Sequence, residues 1–381
     1  TGFPWNVPGY ALTAPLVLMQ SAGLLGIYGL TLVAFVIFTV PLVMAAGIRA
    51  WSLRAAGLFA VVPLAILTAY GAVRLATPVS TVPGVQIRIV QPAVPQREKW
   101  MGEHQRRIFD DHLLLSRTNA QGAIDNLAGV THVIWPESAM PFFPLETPQA
   151  LREIADMLPD GRVLITGSIR HGAKAGEAGF DYAHAYNSIL VFDDAARLAA
   201  LYDKIHLVPF GEYLPFEGVL GAFGLQKLTF GRAGFAAGAA PRSLMHIAGL
   251  PAVTGLICYE AVFANEVVQS AARPGLIVNV TNDGWFGNSS GPRQHLHQAR
   301  VRAVEQGVPL LRAANNGISA IVDPFGRLMA VLGLNVRGVL DGPLPAAVSA
   351  PPYVALGDWI FAALEALAAL FLVFQARRLR P

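Results

Sequence analysis

The sequence predicts an α/β domain carried on membrane helices, and three observations lead there. Long uncharged apolar runs lie near both ends of the chain. Between residue 82 and about residue 340, short apolar runs alternate with helical stretches without repeats, the pattern of a mixed α/β layer architecture. Within that stretch, Cys258, the only cysteine of the 381 residues, closes the apolar run at 253–258 and is followed by Tyr259 and Glu260. A lone thiol at the end of a buried strand is where an α/β enzyme exposes a nucleophile to a cleft.

Composition supports this arrangement and excludes others. Hydrophobic residues make up 54% of the chain and charged ones 14%, against about a quarter charged in ordinary soluble domains. The net charge of +3 is small for this length, and no Lys/Arg stripe interleaves with aromatics as nucleic-acid binding requires. A single cysteine leaves no intramolecular disulfide and no multi-cysteine zinc site, and nothing suggests a metal or nucleotide cofactor. The chain opens on Thr1 without a signal-peptide n-region, so it reads as a piece of a longer protein whose beginning lies upstream.

In chain order, residues 1–78 form a membrane region. Residues 1–20, apolar but broken by prolines, suggest an interfacial segment with Trp5 and Tyr10 at headgroup depth. Residues 24–46 carry no charge, enough for a transmembrane helix across about 30 Å, and residues 55–73 supply a second. Pro41 and Pro63 kink these spans. A third apolar run, 359–376 within a C-terminal membrane segment 357–376, ends on Arg377, Arg378 and Arg380. It contains Glu365, which has to face protein, an aqueous cavity or the interface. Arg49 and Arg54 between the first two spans, with the C-terminal arginines, place those ends in the cytoplasm and the long middle section outside. Arg74 is a mild exception.

Residues 82–340 then form the α/β domain. Strands are expected at 85–90, 132–135, 163–167, 188–192, 199–202, 253–258, 276–280 and 317–322, and helices at 103–127, 148–157, 261–271 and 293–306. A Pro/Ala-rich linker, 341–356, leads back to the membrane.

Three of these strands end on titratable residues. Glu137 follows the run 132–135, Lys204 follows 199–202, and Cys258 closes 253–258. A carboxylate, an ammonium and a thiol make a complete set for acyl chemistry: the carboxylate takes the thiol proton, the thiolate attacks a carbonyl, and the ammonium with a main-chain N–H stabilises the oxyanion. A neighbouring lysine also favours thiolate.

In this order and context, Glu137, Lys204 and Cys258 resemble the Glu-Lys-Cys triad of the nitrilase superfamily, which implies a nitrilase-like αββα sandwich attached to a transmembrane helical bundle. Together with Asp203 to Tyr213, Asn282 to Gly287 and Asn315 to Gly317, the motifs resemble the apolipoprotein N-acyltransferase family, over essentially the whole chain. The resemblance implies Glu137 as general base, Lys204 as oxyanion-stabilising cation and Cys258 as nucleophile. It also implies supporting roles for Glu212, Tyr259 and Glu260 and a substrate-positioning role for Trp100. It implies N-acylation of a diacylglyceryl-cysteine at a lipoprotein N-terminus from a phospholipid, phosphatidylethanolamine, by a multi-pass monomer of the bacterial inner membrane with its catalytic domain in the periplasm.

Other features carry less. His295 and His297, two apart on a helix, do not share a face and make a poor metal pair. Arg293, Arg300 and Arg302 read as a solvated or salt-bridged helix. Residues 209–241, rich in glycine and in large apolar residues such as Phe210, Phe216, Phe223 and Phe230, read as a lid toward the bilayer, with residues 141–144 as a second apolar lip. Two readings stay beside acyl transfer: a membrane-tethered amidase of the same superfamily, and a non-catalytic lipid- or lipoprotein-binding protein.

Overall fold

The computed structural model describes residues 3–45, 53–173, 180–213, 234–268 and 272–378. The α/β part is built on two sheets. The first runs β11-β1-β2-β3-β4-β5, from β1 (Thr81–Gln91), β2 (His132–Met140), β3 (Val163–Ala173), β4 (Phe180–Phe192), β5 (Leu198–Asp203) and β11 (Gly338–Pro345). The second runs β10-β9-β8-β7-β6, from β6 (Val253–Ile257), β7 (Leu276–Thr281), β8 (Leu310–Ala314), β9 (Ser319–Val322) and β10 (Leu328–Leu332). Three parallel strands form the heart of each sheet: β1, β2 and β3 in one, β6, β7 and β8 in the other.

Alternation along the strands decides the layers, because successive side chains point to opposite faces. Ile87, Ile89, Ile134, Ile165 and Ile189 of the first sheet meet Val253, Ile257, Val278, Val280 and Ile321 of the second in one buried core. The intervening Val133, Trp135, Leu164 and Leu190 turn outward. They pack under α4 (Gln105–Ser116) and α5 (Pro148–Met157) through Phe109, Leu113 and Ile154. On the far side, Leu256, Ile277, Leu310 and Val322 lie beneath α6 (Gly291–Gln306), which contributes Leu296, Ala299 and Ala303. Helix, sheet, sheet, helix is the αββα order.

Several expected elements come out differently. The helix expected over 103–127 ends at Ser116, since Asn119 Oδ1 accepts from the amides of Gln121 and Ala123 and turns the chain. In place of an α-helix from 261, two short 3₁₀ turns, Cys258–Val262 and Ala264–Glu266, are separated by an extended Phe263. Residues 269–271 lie outside the described residues. The expected linker at 341 cuts through β11, which pairs antiparallel with β1 as far as Thr81 and Pro345. Helix α7 (Pro352–Leu356) follows.

The apolar ends form helices α2 (Ala22–Ala45), α3 (Leu53–Leu75) and α8 (Trp359–Arg378). Within them, Ala22–Leu42 and Gly57–Leu75 are long and apolar enough to cross a membrane, and Trp359–Gln375 is a shorter apolar stretch. Helices α2 and α3 fit a transmembrane part. Phe38, Leu42, Val61 and Ile66 are exposed on them, as a lipid-facing surface requires, and Leu370 and Leu372 are exposed on α8. Glu365 is also exposed on α8 and finds no protein cover among the described residues. Arg49 lies outside the described residues, whereas Arg74 is used structurally, donating to the Gln20 carbonyl and lying over the Phe325 ring.

Residues 3–20, including α1 (Leu16–Met19), depart most from expectation. Trp5 is buried instead of lying at an interface: its Nε1–H donates to Gln294 Oε1 at 2.9 Å, and its ring packs on Phe286 and His295. Tyr10 is half-buried against His297. Its hydroxyl accepts from Arg302. Helix α6, with Gln294, Gln298 and Arg302, offered more hydrogen-bond donors and acceptors to this segment than local sequence reveals.

Candidate active site

The site lies at one rim of the sandwich, past the carboxyl ends of the parallel strands, where open α/β sheets bind ligands. Strand β6 delivers Cys258 there at a sharp corner with φ +49°, a left-handed conformation that non-glycine residues hold only under constraint. The constraint is Glu260. Its Oε2 accepts from the Ile257 amide at 2.8 Å, and its Oε1 from the Tyr202 hydroxyl at 2.7 Å and the Ile205 amide at 3.0 Å. Arg242 pairs with it at 3.1 Å. Burial works against this carboxylate's charge, but Arg242 and the hydrogen bonds outweigh it and hold its pKa below the ordinary value. One buried side chain thus ties the cysteine corner to the segment carrying Lys204.

Strand β2 loses its regular pairing between Trp135 and Met140, and Ser138 takes φ +48°. This bulge re-aims Glu137 into the site. A Cβ at Gly167 on the neighbouring strand would stand 2.5 Å from the Glu137 Cα, so only glycine admits the bulge. Both carboxylate oxygens are held: Oε1 accepts from Asn187 Nδ2 at 2.8 Å, and Oε2 from the Asn282 amide at 2.8 Å. Asn187 Nδ2 also donates to Glu212 Oε1 at 2.9 Å. The Lys204 ammonium lies 2.7 Å from Glu212 Oε2 and 3.9 Å from Glu137 Oε1.

These contacts set the charges. Burial disfavours the Lys204 ammonium, but Glu212 and Glu137 outweigh it and raise its pKa above the usual lysine value. The Cys258 thiol is pushed up by burial and by Glu137, with Lys204 partly offsetting. The resting sulfur is therefore protonated, and attack requires a base beside it. Asp283 supports the corner from below, pairing with His295 Nδ1 at 2.8 Å and Arg312 at 2.8 Å. His295 Nε2 lies 3.0 Å from the Cys258 carbonyl. Burial raises the Asp283 carboxyl, yet Arg312 and His295 hold it well below the usual carboxylate range. Cys258, Asp283 and His295 bring potential ligand atoms within 4.8 Å of one another, but Arg312 already neutralises Asp283 and both His295 nitrogens are engaged.

Above this polar floor a cavity of about 260 Å³ is walled by aromatic side chains: Phe3, Trp5, Trp100, Phe235, Trp285 and Phe286. The structure brings together every residue singled out from sequence for catalysis or support. Glu137, Lys204, Cys258, Glu212, Tyr259 and Trp100 line the cavity, and Glu260 lies fully buried behind it. The expected second lip does not join them. Phe142 packs on Phe109 and Phe143 stacks on His171, and neither lines the cavity. Of the lid residues, Phe216, Phe223 and Phe230 lie outside the described residues, and Phe210 is exposed. Of the three arginines of helix α6, Arg293 is exposed, Arg300 donates to the Gly326 carbonyl, and Arg302 is fully buried and paired with Glu305.

Sequence reasoning missed Asn187, Lys99, His295 as a support and the Phe3–Trp5 wall. Asn187 could have been noticed as a polar residue opening the apolar run 188–192. Phe3 gave no signal and Trp5 read as interfacial, since their partners Tyr259, Phe286 and His295 lie more than 250 positions away.

Two facing sheets with a glutamate, a lysine and a cysteine at their rim are the architecture of the carbon-nitrogen hydrolases. The family model for carbon-nitrogen hydrolase matches residues 88–351. An apolipoprotein N-acyltransferase of Rhodopseudomonas palustris is 44% identical over 99% of this chain and 70% of its own length. Another, from Bradyrhizobium diazoefficiens, is 45% identical over 98% of this chain and 69% of its own length. The chain belongs to the apolipoprotein N-acyltransferase family of the carbon-nitrogen hydrolases. Among solved structures, a Helicobacter pylori carbon-nitrogen hydrolase overlaps 68% of this chain and 88% of its own, at 14% identity and a TM-score of 0.48.

Proposed function

We propose that this chain transfers an acyl group from a membrane phospholipid to the α-amino group of a lipoprotein's N-terminal diacylglyceryl-cysteine, through a thioester on Cys258. The observation that carries the reading is the convergence of Cys258, Glu137 and Lys204 on the floor of an aromatic-walled cavity. Part of that wall, Phe3 and Trp5, belongs to the segment leading into the apolar helices. Glu137 takes the thiol proton as sulfur attacks the ester carbonyl. The oxyanion is met by the Lys204 ammonium and the main-chain N–H after Cys258. The C–O bond breaks, the departing lysophospholipid oxygen receives the proton from Glu137, and the acyl group stays on sulfur. In the second half the amine attacks the thioester, its proton passes through Glu137 to the sulfur, and an amide is released.

Such a ping-pong cycle suits the apolar walls, since a water-poor site slows hydrolysis of the thioester. Phosphatidylethanolamine is the proposed donor, the inner membrane the proposed location, and the periplasmic face the proposed side. The test is intact-protein mass spectrometry of the detergent-purified chain after incubation with a defined diacyl phospholipid. A gain of one acyl chain, removed by hydroxylamine and absent in Cys258→Ala, is the expected result. Release of free fatty acid with no adduct and no transfer to a diacylated peptide amine would replace it with a hydrolase.

A further inference from the structure

Beneath Glu137 the structure holds a second buried lysine that the triad chemistry does not use. Lys99 is 2% exposed, and its ammonium donates to the main-chain oxygen of Glu137 at 2.7 Å. It comes from the turn at 96–100, whose next residue, Trp100, lines the cavity. The same turn reaches Glu137 from its other end. Gln96 Oε1 accepts from Asn282 Nδ2 at 2.6 Å, and the Asn282 amide donates to the Glu137 carboxylate. An ion pair from Glu98 to Arg107 on α4, 2.6 Å long, anchors the turn. One turn therefore holds the Glu137 main chain directly and reaches its carboxylate through Asn282.

The charge balance gives Lys99 a purpose. Lys204 is matched at close range by Glu212 and stands farther from Glu137, which leaves the Glu137 carboxylate and any Cys258 thiolate short of a cation. We propose that Lys99 is a positioning residue whose positive charge, together with its grip on the Glu137 main chain, sustains ionisation of the Cys258 thiol. It rests on the reading of Cys258 as the nucleophile. Burial pulls the Lys99 ammonium down to about 8, with Glu137 and Cys258 pulling the other way. Its charge also acts on His112 of α4, which burial lowers to about 4, so that it is neutral at working pH. Lys99 accordingly carries its charge at pH 7 and loses it as the pH rises past 8, a range in which raised Lys204 stays charged.

The test is the rate of Cys258 alkylation by iodoacetamide, followed by intact mass across pH 6.5 to about 9.5, for the wild-type chain, Lys99→Met and Lys99→Arg. At pH 7 Lys99→Met should alkylate about ten-fold more slowly, the order of effect expected of one charge in a partly screened interior. That ratio should fall toward one at the alkaline end, where the wild-type lysine is neutral too. Lys99→Arg, charged throughout, should match wild type at pH 7 and exceed it at the alkaline end. A ratio that stays constant across pH, or wild-type behaviour of Lys99→Met at pH 7, would overturn the proposal in favour of a packing role. If Lys99→Met does not fold, the alkaline gap between Lys99→Arg and wild type decides alone. Iodoacetamide needs no acyl donor, so a chain with this dependence that takes up no acyl group from phospholipid would sink the donor reading and leave the role of Lys99 standing.

Discussion

Two buried ionic clusters sit at opposite ends of helix α6's neighbourhood and are finished to different standards. At the site, Glu137 and Glu212 each have both carboxylate oxygens engaged, through Asn187, the amides of Asn282 and Val208, and Lys204. At the joint between α6 and α2, Arg302 and Glu305 are equally buried but only partly satisfied. Glu305 Oε1 accepts from the Ile27 amide at 2.9 Å and from Arg302 Nη2 at 3.2 Å. Arg302 Nη1 and Glu305 Oε2 find no hydrogen bond among the described residues, although Arg302 Nε lies 3.0 Å from that oxygen.

The Ile27 amide is available because Gly26 leaves the helical conformation, with φ +65° and ψ 170° inside α2. The joint thus caps a break in a membrane helix with a carboxylate from the α/β domain. At the site Asn187 Oδ1 lacks a hydrogen-bond partner among the described residues, but both carboxylates are fully engaged and so fixed in geometry, whereas the partly bonded Arg302–Glu305 pair holds two elements together at a net cost in desolvation. The first cluster is arranged for chemistry and the second for attachment.

This contrast can be broken experimentally, starting where the effect is largest. Asn187→Ala removes the side-chain amide that donates to both Glu137 and Glu212 and leaves Lys204 as the group between the two carboxylates. Acyl-enzyme formation should fall by about a hundred-fold, with the thermal midpoint in detergent nearly unchanged. A large midpoint loss with normal acylation per folded molecule would reverse the assignment of roles.

Gly26→Ala should do the opposite. Its Cβ would stand 2.2 Å from the Tyr353 ring, and its φ is positive. A stability loss of roughly 1–3 kcal/mol is expected, while acylation per folded molecule stays within about two-fold. A selective loss of acylation would mean that the joint, too, serves the chemistry.

The smallest effect is a pH dependence. Burial pushes the Glu305 carboxyl up to about 7, with Arg302 pulling it back, so in this window the folded chain binds more protons than the unfolded one. The sign follows: the stability it contributes falls as pH rises from the ordinary glutamate range through about 7, then levels. Glu305→Gln should flatten that slope by several degrees in midpoint measurements at pH 5, 6, 7 and 8. An unchanged slope would show that Glu305 is ionised throughout.

Much of this molecule was legible before any fold. The composition and the uncharged runs marked the apolar helices, because length without charge is a local property. Short apolar runs marked eight of the strands for the same reason. Strand β8 escaped because Arg312 interrupts an otherwise apolar run, and its charge is buried only by virtue of Asp283 and Asn279 on other segments. Strands β10 and β11 escaped because their alternation is weak at the edge of a sheet, where half-exposed positions blur the pattern.

Sequence by itself determined the residue types, the αββα resemblance and the order Glu137, Lys204, Cys258, since each stands at or just after an apolar run that announces it, although β2 continues through its bulge past Glu137 to Met140. Tertiary structure alone decided what holds them: Asn187 between two carboxylates, Glu260 under the cysteine corner, Lys99 behind Glu137, and Trp5 in the cavity wall. Apart from Glu260, which is three residues from the Ile257 amide it holds, these partners are tens to hundreds of residues apart in the chain. Their contacts depend on strand register, the β2 bulge and burial, none of which a local pattern of residue types encodes.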